Sequence, residues 1–353
     1  MALFDWHPLL IGLRPWRKMF RITTLLICAA LMPGCGLIVD AVQLIYPLST
    51  NELAAICRRG EVQVGMAAEP FRPFVFPAVW TDEGARVTGL DTELVRVLSD
   101  ALTVHCGKPV VPQLHLVRFR DLFLLLSEGR LHFFVSAVAG GTPSPTRAGF
   151  AYSSPYFTDG GVTGIARHFE VLESIRIRLR SASPVPRSLA FKGLTIAVQD
   201  GTDAHWYAEA FLAPERLILC DSLPAAFEYG ETDGSAPIDV ILGTKPVLDF
   251  VVKTTQRDWH LLTEEEGRPL VLIDAEYTVV LPEESYHLRW FINNVIFQLR
   301  KSGRLDSMRK RWLDESYAYP RRAATEGLSF DVKQMPAHYA QGTCREASLL
   351  PRQ

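Results

Sequence analysis

Cysteine is sparse in this chain, six residues in 353, and none falls in a CxxC pair or in a Cys/His cluster with zinc spacing. A metal site is therefore not expected. Neither sign of charge dominates. The 37 Lys and Arg stand against 39 Asp and Glu, a formal net charge of −2, so no basic face is offered to nucleic acid. No apolar run reaches the ~20 residues that a bilayer-spanning helix needs. No repeat of solenoid period is present either. What remains is a globular composition, 48% hydrophobic and 22% charged, in a chain too long for one ordinary core. Two lobes plus appendages are expected.

The N-terminus departs from this pattern. Arg14, Arg17, Lys18 and Arg21 precede the apolar run from Ile22 to Met32, which leads into Pro33-Gly34-Cys35. A charged region, a short hydrophobic region and a small-residue processing site make an export signal over residues 1–35. Met19 is an alternative start. Cys35 directly after Gly34 resembles the lipobox of bacterial lipoproteins, whose cysteine carries a lipid anchor. Met32 stands where that motif usually has Leu, and Pro33 is unusual there. The expectation is a periplasmic protein anchored to the membrane through acylated Cys35. With Cys28 in the signal, Cys57, Cys106, Cys220 and Cys344 remain, an even set compatible with disulfides in three connectivities. Cys57–Cys106 is the favoured pair, because each residue precedes a predicted strand. Cys220–Cys344 would then tie the tail down.

From Asn51 the chain alternates helical and strand periods. Predicted strands cover Val62–Met66, Val110–Val117 and Leu131–Val138. Predicted helices cover Asn51–Arg59, Thr92–Thr103 and Phe119–Ser127. This βαβα succession favours a largely parallel sheet covered by helices. A strand at Val162–Arg167 and a Ser/Pro/Arg-rich loop at Ser181–Ser188 lead to a second βαβ unit, with strands at Leu194–Val198 and Arg216–Cys220. Helix Leu223–Tyr229 and strands Asp239–Leu242 and Tyr277–Leu281 follow, then helices Tyr286–Lys301 and Leu305–Trp312. Beyond Glu315 periodicity is lost, and a loosely docked tail over 315–353 is expected. The stretch Gly129–Gly161 is chemically the richest. Its buried run stops at Gly140-Gly141, and Thr142, Ser144, Pro145 and Arg147 then open a helix. Free amides at a helix start plus one Arg suit a carboxylate, although Ser144 and Pro145 equally describe an ordinary cap.

Taken in order, Gly60-Glu61-Val62-Gln63-Val64-Gly65-Met66, Pro73-Phe74, Gly89-Leu90-Asp91-Thr92-Glu93-Leu94, Gly129-Arg130-Leu131, Thr142 to Arg147, Ser154-Pro155-Tyr156-Phe157, Gly201-Thr202 and Gly303 to Trp312 resemble the type 2 periplasmic solute-binding proteins, in their amino-acid-binding branch (solute-binding family 3). The resemblance runs from Leu53 to Trp312. It implies a two-lobed α/β fold with mixed, largely parallel sheets joined by two strand crossings. Lobe 1 would hold 51–158 and 276–314, and lobe 2 would hold 159–275. It also implies that Arg147 grips an α-carboxylate, with Thr142 as its hydroxyl partner and the Gly140 carbonyl near the α-ammonium. Phe71 and Phe74 would be aromatic walls, packing being the alternative for each ring. Thr202 would belong to the second lobe's ligand-binding helix start. Asp91 reads as a helix cap.

Two departures bear on specificity. Thr244 stands where amino-acid binders place the acid that holds the ammonium, and Asp203 stands where they place a carboxylate-binding Thr. Either Asp203 replaces the missing acid, or the ligand is a carboxylate without an α-amine. The leading expectation is a monomeric, non-enzymatic receptor without cofactor that delivers a small carboxylate-bearing solute to an inner-membrane ABC permease. The alternatives are a dehydratase-like enzyme, with Asp203, Asp159 and Glu69 as candidate acids, and a ligandless lipoprotein that kept the fold. His168, His205 and His287 are scattered and read as structural or surface residues.

Overall fold

The computed structural model describes residues 51–353 apart from 70, 141–148, 182–186, 213, 233–236, 255–257, 265–266, 316, 332–341 and 348–353. Residues 1–50, and with them the export signal and Cys35, lie outside the described residues, as do Thr142 and Arg147. Among the described residues no helix is long and apolar enough to cross a membrane.

The first lobe begins with α1 (Glu52–Arg59) and β1 (Glu61–Ala67), then β2 (Val79–Thr81) and β3 (Gly84–Val87), which pair with each other in a small sheet of their own, then α2 (Leu90–Cys106) and β4 (Val111–Val117). It continues through α3 (Leu122–Ser127), β5 (Phe133–Ala139) and β6 (Phe150–Tyr152). β5 is buried at every residue, as a strand covered on both faces must be. The chain then crosses into a second sheet: β7 (Val162–Ala166), α4 (Phe169–Ser181), β8 (Thr195–Gln199), α5 (Asp203–Phe211), β9 (Arg216–Cys220), α6 (Leu223–Thr232), β10 (Val240–Thr244), α7 (Lys245–Thr254) and β11 (His260–Leu261). It returns as β12 (Tyr277–Pro282), α8 (Tyr286–Lys301) and α9 (Arg304–Leu313). The two main sheets run β4-β1-β5-β12-β6 and β11-β7-β10-β8-β9, the second extended beyond β9 by a strand from the tail. In the first, β1 is parallel to both neighbours and β12 antiparallel to both of its own.

Two crossings join the lobes, and they press together. Phe157 bridges Tyr277 and Val162 bridges Ile273. Gly161 has φ 109°, and a Cβ there would lie 2.1 Å from the Ile273 carbonyl oxygen. Only glycine allows the second crossing to pass so near.

The tail corrects the expectation of a loosely docked segment. α10 (Arg321–Glu326), β13 (Leu328–Phe330) and β14 (Cys344–Glu346) complete the element order. β13 pairs antiparallel with β3 on the first-lobe side, and β14 pairs antiparallel with β9 in the second sheet. Tyr317 and Tyr319 pack their rings on Phe76, with Trp312 beside them. Three-residue strands carry no readable period; their partners define them. Two helices also go beyond the sequence reading, α4 and α7, and the helix expected over Phe119–Ser127 starts as a 3-10 turn at Phe119–Asp121.

Both cysteine pairs are disulfides, Cys57–Cys106 with Cα atoms 5.1 Å apart and Cys220–Cys344 at 4.0 Å. The geometry of the first follows from the sheet. α1 and α2 end on left-handed glycine caps, Gly60 and Gly107. They then feed β1 and β4, which are parallel neighbours in register from Glu61↔Val111. The helix ends are thus held side by side.

Candidate functional site

A cleft between the two lobes holds about 600 Å³ of empty space, part of it open to solvent. From the first lobe it is lined by Ala67, Glu69, Phe71, Phe119 and the end of β5 from Ser136 to Ala139. The second lobe contributes Gln199, Thr202, Asp203, Gly243 and Thr244, and Gly161 and Tyr277 come from the crossings. Strand ends and helix starts converge here because a parallel βα unit turns at the carboxyl end of each strand, where ligands of open α/β sheets bind.

Glu69 follows β1 and is only 8% exposed. The Phe119 N–H donates to both carboxylate oxygens at 3.2 Å. Burial pushes the Glu69 carboxyl up to about 7, against the downward pull of its own and Phe119's N–H groups and of Arg118. Gln199, at the end of β8, is buried, and its Oε1 has no hydrogen-bond partner among the described residues. Thr202 caps α5, its Oγ1 accepting from the His205 N–H at 3.3 Å and donating to the Gln199 carbonyl at 2.7 Å. Asp203, half-buried, opens the same helix. The described lining therefore includes two carboxyl groups, those of Glu69 and Asp203.

A second buried acid shapes the lining without entering it. Asp91, fully buried, accepts from the Ala137 N–H at 3.0 Å and from the Tyr156 hydroxyl at 2.7 Å. The Tyr156 oxygen also accepts from the Ala137 N–H at 3.2 Å. Ala137 is non-glycine yet has φ 47°, a left-handed conformation costing ~1 kcal/mol or more. The Asp91–Tyr156 pair holds that kink in β5, and with it the turn of Ser136–Ala139 toward the cleft. Burial raises the Asp91 carboxyl to about 7 despite both hydrogen bonds. This overturns the capping role expected for Asp91: the N-cap position of α2 is Gly89, with no side-chain cap.

The residues expected from sequence divide clearly. Phe71, Thr202, Asp203 and Thr244 line the cleft. Phe74 does not. It is fully buried and packs edge-on against Phe157 and Tyr277, because its apolar ring gains more from the crossing core than from a wet wall. Gly140 lies one residue past the lining segment of β5, its N–H donating to the Glu276 carbonyl at 2.9 Å. Asp159 is outside the cleft, paired with Lys245 and with Arg309 (3.7 Å). Glu69 was named only as a candidate catalytic acid, and Gln199 carried no signal at all: a Gln ending a buried strand has no motif.

Two lobes, two crossings and a polar cleft between them define a solute-binding protein. Over residues 62–315 the sequence matches the bacterial extracellular solute-binding proteins, family 3, and the chain belongs to that family. Similar solved structures include an amino acid ABC transporter substrate-binding protein from Streptococcus pneumoniae bound to L-arginine. It is 18% identical, with TM-score 0.59, covering 75% of this chain and 99% of that one. The P235GK mutant of ArgBP from T. maritima is 24% identical, with TM-score 0.58 and coverage of 74% and 99%. The ancestral amino acid-binding protein AncCDT-1, a precursor of cyclohexadienyl dehydratase, is 20% identical, with TM-score 0.56 and coverage of 74% and 100%. At such identities the likeness is one of fold. No curated protein matches the chain.

Proposed function

We propose that this protein is a periplasmic receptor for a small amino-acid-like solute carrying a cationic group, passed on to an inner-membrane ABC permease. The observation that carries the reading is the acidic lining: Glu69 and Asp203 line one cleft, together with Gln199. A buried carboxylate is costly unless paired with a cation and hydrogen-bonded, so an ammonium or guanidinium group is the chemistry that satisfies it. Asp203, which lines the same cleft, is then the proposed substitute for the acid absent at Thr244. Arg147 and Thr142 remain the proposed carboxylate grip, and Gly140 the proposed carbonyl partner of the ammonium. Attachment to the membrane through Cys35 and a monomeric state belong to the same reading.

A thermal-shift panel tests it, with L-arginine, L-lysine, L-glutamine, L-glutamate, their deaminated acids and simple polyamines. A ligand at a hundred times its Kd stabilises by about 2.7 kcal/mol. Stabilisation by the cationic amino acids is expected. Stabilisation by the deaminated acids alone would overturn the cationic assignment. One observation favours a second reading: a buried acid poised near neutrality in a cleft suits proton transfer, and Glu69 is such an acid. Recovery of the ligand chemically unchanged after prolonged incubation, read by NMR, rules for the receptor; a converted product rules for the enzyme.

A further inference from the structure

We propose that the outer face of α8 is a membrane-docking surface whose occupant is a lipid bilayer with anionic headgroups. This rests on the membrane attachment proposed above and goes beyond it. An anchor keeps the chain near a bilayer, whereas this face holds the first lobe against it.

α8 buries Leu288, Phe291, Ile292, Ile296 and Leu299. The opposite face of such a helix is ordinarily polar, but here it is aromatic. Tyr286, Trp290 and Phe297 are 56%, 68% and 54% exposed. At about 100° per residue the three fall within about 40° of one another, a single stripe along the helix. Tyr and Trp, each with an apolar body and a polar tip, are the side chains that settle at the level of lipid headgroups. Arg289 lies over the Tyr286 ring, 5.4 Å from its centroid, and adds a cation to that end.

The charge around the stripe is complementary to an anionic surface. The chain as a whole carries −2, yet from Tyr286 to Leu313 there are seven Lys and Arg and a single acid, Asp306. Arg309 and Arg311 are paired with Asp159 and Glu93. Lys301, in line with the stripe, and Arg304, which opens α9, are exposed. Neither has an ion-pair partner among the described residues. Glu283 and Glu284 stand before the helix, at the end away from Lys301.

The described chain also starts beside this helix. α1 packs against α8, and the Ser285 hydroxyl donates to the Glu52 carboxylate. The proposed anchor at Cys35 is therefore within at most about 55 Å of extended chain from one end of the stripe. Because α8 belongs to the first lobe, docking through it leaves the second lobe free to close on its ligand.

The test uses the full chain as the cell processes it, in vesicles of phosphatidylethanolamine and phosphatidylglycerol brominated on the acyl chains. Bromine quenches an indole that reaches the bilayer. Parent fluorescence is expected to be quenched, and most of that quenching to be lost in Trp290→Phe with an unchanged circular dichroism spectrum. Mass spectrometry of the same preparation reads acylation of Cys35. Where the acyl chain is absent, the attachment reading fails and the face is judged by co-sedimentation with the same vesicles. The parent is expected to bind, and Lys301→Gln with Arg304→Gln to bind roughly 25-fold more weakly, about fivefold for each cation near an anionic surface. Equal quenching of parent and Trp290→Phe in the anchored protein, or no vesicle binding by the unanchored one, would overturn the docking face. Unquenched Trp290 in a dimer that Trp290→Ser dissociates would overturn it in favour of a second copy of the chain.

Discussion

Glu69 and Asp91 sit one on each side of the cleft wall, the first in it and the second behind it, and both are held near neutrality by burial. For Glu69 the consequence is a pH-dependent affinity. A cationic ligand needs the ionised carboxylate, so affinity for L-arginine is expected to fall as pH drops from 8 to 5 and to lose that slope in Glu69→Gln. The same substitution at pH 8 should weaken binding by roughly 10- to 150-fold, the range of a charge-assisted hydrogen bond. Isothermal calorimetry at both pH values measures it. For Asp91 the consequence is structural. Tyr156→Phe removes one donor from a fully buried acid and one of the two acceptors of the Ala137 N–H. It should cost about 1–3 kcal/mol in denaturant unfolding.

At the scale of elements, closeness of packing is decisive. Gly89 precedes α2 with φ 142°, and a Cβ there would lie 2.0 Å from the Phe74 carbonyl oxygen. Gly89→Ala must push the Phe71–Phe76 loop off α2, and with it both the Phe74 ring and the Phe71 wall. A loss of at least ~2 kcal/mol is expected, seen as a lower denaturant midpoint. The Cys57–Cys106 bond joins the ends of α1 and α2 across 49 residues of sequence. By loop-closure entropy its removal through paired serine substitution costs about 4 kcal/mol, which calorimetry would show as a lower Tm with the fold retained.

For the whole molecule, the same buried acids set the sign of the pH dependence of stability. Glu69 and Asp91 keep their protons in the folded state to about 7, whereas the unfolded chain releases them near ordinary carboxylate values. Between those limits the folded state binds more protons, so stability declines as pH rises. His132 opposes this. Burial, with the charges of Arg59 and His115, lowers it to about 4, so its contribution improves as pH rises from about 4 toward its unfolded value. Against the parent chain, Asp91→Asn is therefore expected to flatten the fall in stability between pH 5 and pH 8, measured by denaturant unfolding at each pH. An unchanged fall would mean that Asp91 is ionised in the folded protein across that range.

The sequence alone determined what local chemistry can encode. The helix over Tyr286–Lys301 coincides with α8 to the residue, because an unbroken helical period ended by basic residues and Gly303 leaves little choice. The alternation of strand and helix, the run buried as β5, and the clustering of the Thr202–Asp203 helix start were legible for the same reason. Tertiary structure decided everything that depends on a distant partner. Asp91 reads as a cap until Tyr156 and Ala137 arrive from elsewhere in the chain. Gln199 matters only because its strand ends at the cleft. β13 and β14, three residues each, exist only as partners of β3 and β9. Period and capping act over a few residues and are written in the order of the chain. Burial, shared carboxylates and edge pairing come from contacts across tens to hundreds of positions, and they appear only once the fold has brought those positions together.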